Sequence, residues 1–319
     1  MSINRIKESA MINVLMLGAS GVGKSSMIAA MYDEMRRNAS LDVHLKCATP
    51  GLQKQLQSKL DAMKNASGTI NNKEGIEGTS GKTSYEFNLS ASVSEKSKLG
   101  IRFTDIPGGW VEDDNKEADL QNELCNSHII MLPIHAPAMM EQEGFNHKKI
   151  NKPDEIQWFL SEQIFQRQVL ILLAPVKCES YMLKQRTLLL QRIQEVYEPL
   201  ISGMKNNPHV ALAITPIETM GNMRFESWKG EQDYYYRVGR QAYAPRFVEQ
   251  PLCYALSFSL NMYLNYQRSI YRRCLDGLPF ISLDKDLKKA TERLAGKIKT
   301  RDNGFQLIQG DHLLRGVRS

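Results

Sequence analysis

Short apolar runs alternate with longer stretches of helical period along most of this chain. That alternation predicts strands of a parallel sheet joined by crossover helices. The first run, Ile12-Asn13-Val14-Leu15-Met16-Leu17, reads as a buried strand, and it leads through a glycine-rich turn into a helix over Ser25–Arg36. A helix is expected from Gly51 to Asn65, followed by a Gly-, Ser-, Thr- and Asn-rich connection that reaches Lys82. Thr83–Leu89 and Leu99–Thr104, joined by a Ser/Lys-rich turn, read as an antiparallel pair at the sheet edge. Buried-type strands follow at His128–Ile134 and Val169–Ala174, with an irregular Met/Pro/Gly segment and a helix near Pro153–Arg167 between them. A helix across Leu183–Lys205 leads to a last strand, Val210–Thr215. The expected fold is a three-layer α/β domain whose sheet is mainly parallel, with one antiparallel edge strand.

After Thr219 the pattern changes. Gly221–Arg246 is rich in aromatics and arginine, including Trp228, Tyr234, Tyr235, Tyr236 and Tyr243. Such a segment is expected to pack on its own domain or on a protein partner rather than to stack on nucleic-acid bases. A long helix is predicted over Val248–Cys274, with Leu252, Leu256, Phe258, Met262 and Leu264 at helical spacing. A basic helix over Asp284–Thr300 reads as a solvated face. Residues 1–246 are therefore expected to form one domain with a helical insertion at about 37–78. Residues 247–319 would add a helix and a basic tail, packed on that domain or extending from it.

Composition narrows the class without choosing a function. The chain has 319 residues, 42% hydrophobic and 24% charged, as soluble globular proteins do. A net charge of +6 is too mild to argue for a nucleic-acid partner. Cys47, Cys125, Cys178, Cys253 and Cys274 form no C-x-x-C pair and read as reduced thiols. Met1–Ala10 lacks the apolar core of a signal peptide, and the runs Ile129–Ile134 and Val169–Val176 are too short to span a bilayer. The expected compartment is the cytoplasm.

The chemistry begins where the first strand ends. Gly18-Ala19-Ser20-Gly21-Val22-Gly23-Lys24-Ser25, continued by Ser26, fits G-x-x-x-x-G-K-[ST] between a strand and a helix. Glycines let backbone N–H groups converge on phosphate oxygens, and the helix N-terminus favours the anion. Lys24 would reach the β- and γ-phosphates of a nucleoside triphosphate, and the Ser25 hydroxyl would ligate Mg²⁺. In Asp105-Ile106-Pro107-Gly108 a carboxylate at a strand end can hold Mg²⁺, and Gly108 can set its N–H against the γ-phosphate. A third run, Val169–Ala174 followed by Pro175-Val176-Lys177-Cys178-Glu179, places a lysine stem for a purine and an acid that can accept two guanine N–H bonds. His128 and His135 bracket a strand and read as satisfied or surface histidines.

These three runs, in this order, resemble the translation-factor and Ras-like superclass of P-loop GTPases. Thr79-Ser80-Gly81 before a strand, the Pro-Val-Lys-Cys-Glu form of the base motif and Ile214-Thr215-Pro216-Ile217-Glu218-Thr219 look like the bacterial double-GTPase families of conflict and defence gene clusters. Tyr243-Ala244-Pro245 and Glu249-Gln250-Pro251-Leu252 look similar too. The resemblance implies GTP and Mg²⁺ as cofactors and protein partners, among them another GTPase-like protein. It also implies that Thr79 closes on Mg²⁺ and the γ-phosphate, with Thr83 as its rival. The family's water-orienting glutamine after D-x-x-G is replaced here by Gly109 and Trp110, with Glu112, Asp113 and Asp114 nearby. Basal hydrolysis is therefore expected to be slow, below about 1 s⁻¹, with Arg36, Arg37 or a partner as the source of an arginine finger. A GTP-binding scaffold without hydrolysis and an ATP-dependent ATPase or kinase are the rival readings.

Overall fold

On the first strand, β1 (Ala10–Met16), successive side chains point to opposite faces and so belong to two separate cores. Ile12, Val14 and Met16 pack on one face of the sheet, and Leu15 with Leu17 on the other. The chain is seen here in a computed structural model that describes residues 10–37, 44–66, 69–71, 81–90, 99–161, 165–230, 232–274, 284–301 and 304–315.

After β1 come α1 (Lys24–Arg37), β2 (His44–Cys47), α2 (Pro50–Asn65) and β3 (Thr69–Asn71). The antiparallel pair β4 (Thr83–Ser90) and β5 (Leu99–Asp105) follows as expected. Next are α3 (Glu117–Asn126), β6 (Ile129–His135), α4 (Ala136–Met140), α5 (His147–Asn151), α6 (Pro153–Ser161) and β7 (Val169–Val176). The chain then forms α7 (Arg186–Val196), α8 (Glu198–Met204), β8 (Val210–Ile214), β9 (Met223–Lys229) and β10 (Gln232–Arg237). It ends with α9 (Glu249–Cys274), α10 (Asp284–Lys297), β11 (Gln306–Gln309) and α11 (Asp311–Arg315).

Among the described residues the main sheet has the order β11-β8-β7-β6-β1-β5-β4-β2, and its five central strands run parallel. The fold is thus a three-layer α/β arrangement. The α1, α2 and α9 side chains cover one face, and α3, α6, α7 and α8 cover the other. β7 shows the two-sided burial of a central parallel strand, with Leu170, Leu172 and Ala174 in one core and Val169, Ile171 and Leu173 in the other.

The structure departs from the sequence reading in instructive places. The single helix expected over 183–205 is two, α7 and α8, because Pro199 in the first turn of α8 supplies no N–H and restricts its neighbour. The insertion at 37–78 contributes two short strands besides its helix, β2 on the main sheet and β3 elsewhere. The aromatic segment 221–246 is a hairpin, β9–β10, which joins β3 in a second sheet of order β3-β10-β9. The C-terminal region is woven into the fold. β11 pairs antiparallel with β8 at the edge opposite β2, and the first half of α9 is buried on nearly all sides, from Gln250 to Asn261. Tyr254 and Ser257 on α9 donate to the carbonyls of Lys299 and Leu314, which fastens the tail across the helix. Among the described residues no helix is long and apolar enough to cross a membrane.

Candidate functional site

β1 stays in the sheet through Leu17, whose N–H donates to Met131 O at 2.9 Å. The chain then leaves β6 and curls through Gly18–Gly23 into α1. Gly23 sits at φ +112°, a conformation that L side chains rarely adopt, so the helix can begin at Lys24. Val22 is fully buried and anchors the loop, while Ser20 and Gly21 face solvent at its tip.

Lys24 folds back over this loop. Its Nζ donates to Gly18 O at 2.7 Å and to Ala19 O at 3.1 Å, and lies 3.9 Å from Asp105 Oδ1. Burial pulls its ammonium pKa down, partly opposed by the Asp105 charge. The parallel register that sets Met16 opposite Asp105 brings the carboxylate to the start of α1. There Ser25 Oγ donates to Asp105 Oδ2 at 2.8 Å. Two hard oxygen donors side by side next to a phosphate-type loop suit a small dication. Gly108 completes the cluster, since a Cβ built on it would lie 1.9 Å from Ser20 N and 2.3 Å from the Ala19 carbonyl carbon. Only a glycine lets the Asp105–Gly108 segment approach the loop so closely.

The residues expected to hold a base lie two strands away, past β6. Lys177 takes φ +58° at the end of β7, and Glu179 follows in a short 3₁₀ turn. Glu179 is buried, and its Oε1 accepts the N–H groups of Met220 at 2.8 Å and Gly221 at 3.1 Å. Burial raises its pKa, and those backbone donors oppose the rise. Its carboxylate thus fixes the loop after β8, a role the sequence reading did not foresee. In that loop Thr215 Oγ1 and Thr219 Oγ1 are buried and have no hydrogen-bond partner among the described residues. Buried polar atoms without partners are costly, and such a pair beside Lys177–Glu179 suits a polar ligand.

Glu218, in the same loop, pairs with Arg246 at 3.5 Å, yet burial outweighs that charge and pushes its pKa up to about 7. The folded state therefore holds this proton longer than the unfolded chain, whose glutamate titrates near 4.5. Stability should fall as pH rises between those two values. His135, pulled down to about 4, has the opposite slope in the acid range. The expected result is a difference: Glu218→Gln removes the loss between pH 5 and 7, read from thermal melts of both proteins across that range. Parallel melting profiles would refute the assignment.

Thr79 lies outside the described residues. Its rival, Thr83, opens β4 opposite Asp105 in register and donates to Gly81 O at 3.3 Å. Glu112 and Asp113, the acids closest after Gly108, are engaged by neighbours outside the cluster. Glu112 is paired with Lys152, Asp113 caps Asn115 N at 3.0 Å, and the Lys116 ammonium lies 5.4 Å from the centre of the Trp110 ring. Arg36 and Arg37 stand at the far end of α1, about 18 Å from Lys24 at 1.5 Å per residue. There they engage Gln57 and Asp33, so the expectation of an arginine finger from this helix is not met.

Sequence reasoning missed one cluster. Asp233 on β10 is fully buried, and its Oδ2 meets Lys177 Nζ at 2.8 Å, His135 Nε2 at 2.6 Å and the Tyr235 hydroxyl. His135 Nδ1 accepts from Ala138 N at 3.1 Å, which leaves Nε2 as the proton-bearing nitrogen. His135 was expected to be satisfied, and it is. Burial alone would raise the Asp233 carboxyl, but Lys177 and His135 hold it well below the usual carboxylate range. The signal in the sequence was slight: an acid directly before three tyrosines, Asp233-Tyr234-Tyr235-Tyr236.

No protein-family model and no curated protein matches this chain. Among solved structures, the chain is similar to the GTPase-like domain of S. cerevisiae Ski7 bound to GDP and inorganic phosphate, at 16% identity and a TM-score of 0.40. That match covers 66% of this chain and 43% of the Ski7 chain, so it spans less than half of that structure. The same domain bound to GTP aligns at 15% identity and a TM-score of 0.40, over 68% of this chain and 45% of that one. Era, in complex with MgGDPNP and a 16S ribosomal RNA segment, aligns at 12% identity and a TM-score of 0.30, over 80% of this chain and 68% of its own.

Proposed function

We propose that this chain binds Mg²⁺–GTP at Gly18–Ser26 and works as a slow, nucleotide-controlled switch. The observation that carries the reading is the junction of Lys24, Ser25, Asp105 and Gly108, with Ser25 Oγ 2.8 Å from the Asp105 carboxylate. Ser25 and Asp105, joined by Thr79 on nucleotide binding, are the residues that would hold Mg²⁺, which supplies charge neutralisation for the phosphates. The protein's part is to bind the triphosphate through Lys24 and the loop N–H groups. It also couples the γ-phosphate to the Asp105–Trp110 segment through the Gly108 backbone.

Guanine is the proposed base because Lys177 and Glu179 keep the lysine-x-acid spacing at the end of β7, near the Thr215 and Thr219 hydroxyls that have no hydrogen-bond partner among the described residues. With Gly109 and Trp110 where a water-orienting side chain would stand, hydrolysis by the chain alone should be slow. A partner that supplies an arginine would raise it by roughly 10³–10⁵. The flanking motifs that resemble the bacterial double-GTPase families support a cytoplasmic role with partner proteins in a defence system.

Calorimetric titration with Mg–GTP and Mg–ATP tests the base. GTP should bind at least about tenfold more tightly, a difference of 1.4 kcal/mol. Glu179→Gln, which keeps an acceptor for the Met220 and Gly221 N–H groups, should narrow that gap. Equal affinity for the two nucleotides would sink the guanine reading and leave an ATP-binding protein.

A further inference from the structure

Lys177 is an odd lysine. It stands at the end of β7 with its side chain about one-fifth exposed, yet its ammonium is turned inward to a carboxylate from the second sheet. Asp233 Oδ2 gathers three donors: Lys177 Nζ, the His135 ring and the Tyr235 hydroxyl. The Tyr235 ring lies 4.8 Å from the lysine ammonium, close enough for a cation–π contact. Phe225 and Trp228 back the cluster, with Phe225 5.5 Å from Trp228 and 6.0 Å from Tyr235, and His135 5.8 Å from Trp228. The ends of β6 and β7 and the strand β10 thus converge on one side chain, with β9 aromatics packed behind its partners.

The geometry points to Asp233 as a positioning residue for the nucleotide base: held by His135 and Tyr235, it tethers the Lys177 ammonium so that the lysine stem forms one fixed wall of the base site. This rests on the reading that a base sits at Lys177–Glu179. A free lysine has four rotatable bonds and loses that freedom when it lies against a ligand. Here the freedom is already lost in the ligand-free fold, so less is lost on binding. The tether also leaves the charge balanced, since an anionic Asp233 faces a cationic Lys177 and a neutral His135. A neutral purine then meets an aliphatic surface rather than a bare cation. Glu179 is not the tether: Lys177 Nζ donates to Asp233 Oδ2, while Glu179 Oε1 accepts from the loop after β8.

Titration calorimetry on the full chain tests this with Mg–GTP and Mg–tripolyphosphate. The proteins are wild type, Asp233→Asn, Tyr235→Phe, Lys177→Met, the Asp233→Asn/Lys177→Met double variant, and Lys24→Ala. Asp233→Asn should weaken GTP about tenfold and leave tripolyphosphate unchanged. It should have no further effect once Lys177 is methionine. Tyr235→Phe should act in the same direction, two- to fivefold, and decides the matter by the same criteria if Asp233→Asn does not fold.

Three results would overturn the proposal: wild-type GTP affinity in Asp233→Asn, equal losses for GTP and tripolyphosphate, or an undiminished loss on top of Lys177→Met. In each of these cases Lys24→Ala still reports on the phosphate loop. If it abolishes GTP binding, the nucleotide reading stands without the tether. If wild type binds no nucleotide at all, that reading fails and the tether falls with it.

Discussion

Lys24→Ala is expected to lower the affinity for Mg–GTP by about 10² or more, with the melting temperature shifted by no more than a few degrees. The side chain is 7% exposed, and in the fold its ammonium meets two loop carbonyls, Gly18 O and Ala19 O, with Asp105 Oδ1 at 3.9 Å. Keeping a cation there costs desolvation, as its lowered pKa records. Removing it relieves that cost but leaves two carbonyls without this donor and Asp105 without this cation, and the opposing contributions keep the net effect on the ligand-free fold small. With a triphosphate present the balance changes. A charge-assisted bond to a phosphate oxygen contributes roughly 1.5–3 kcal/mol, about ten- to a hundredfold in affinity for each bond lost. Titration calorimetry and a thermal melt on the same sample check both halves. GTP affinity within threefold of wild type would remove the phosphate loop from the mechanism. A collapse in melting temperature would mean that Lys24 is chiefly structural.

Gly108→Ala should act on the fold and on nucleotide discrimination together. The added methyl would meet Ser20 N at 1.9 Å and the Ala19 carbonyl carbon at 2.3 Å. Both are backbone atoms, so no side-chain rotation makes room, and one loop must move away from the other. Overpacking of this kind costs about 1–3 kcal/mol, which at about 2–4 °C per kcal/mol lowers the melting temperature by several degrees. The displaced Gly108 N–H would no longer report the γ-phosphate, and the preference for GTP over GDP should shrink toward unity. Gly109→Ala is the matched control, because a Cβ at that position meets nothing within 4 Å. Scanning calorimetry and paired GTP and GDP titrations of the two variants give the comparison. Identical behaviour of Gly108→Ala and Gly109→Ala would deny the close approach any functional meaning.

How much of this was legible in advance depended on how local the cause was. β1, β4, β5, β6, β7 and β8 were readable because a buried strand must be apolar over its whole length or alternate with period 2. β11 was not, since all four of its residues are only half-buried and nothing in Gln306–Gln309 marks it as a strand. Its place is set by β8, whose open edge it covers. The hairpin β9–β10 was hidden for a related reason. Its alternation is broken by a register shift between Tyr234 and Tyr235, and its second strand pairs with β3, which comes about 165 residues earlier.

The site divides along the same line. Gly18–Ser25 and Asp105–Gly108 are contiguous motifs, and the sequence by itself determined them, because a phosphate loop is made by consecutive backbone groups between one strand and one helix. The sequence likewise placed Lys177 and Glu179 at the end of a buried strand. What those two side chains face was decided only by the tertiary structure. Glu179 is turned to the Met220 and Gly221 N–H groups, and Lys177 to Asp233, 56 residues further along. Both contacts join segments far apart in the chain, so no local pattern encodes them. They exist because β6, β7 and the hairpin close over one another and a buried charge must find its partner there.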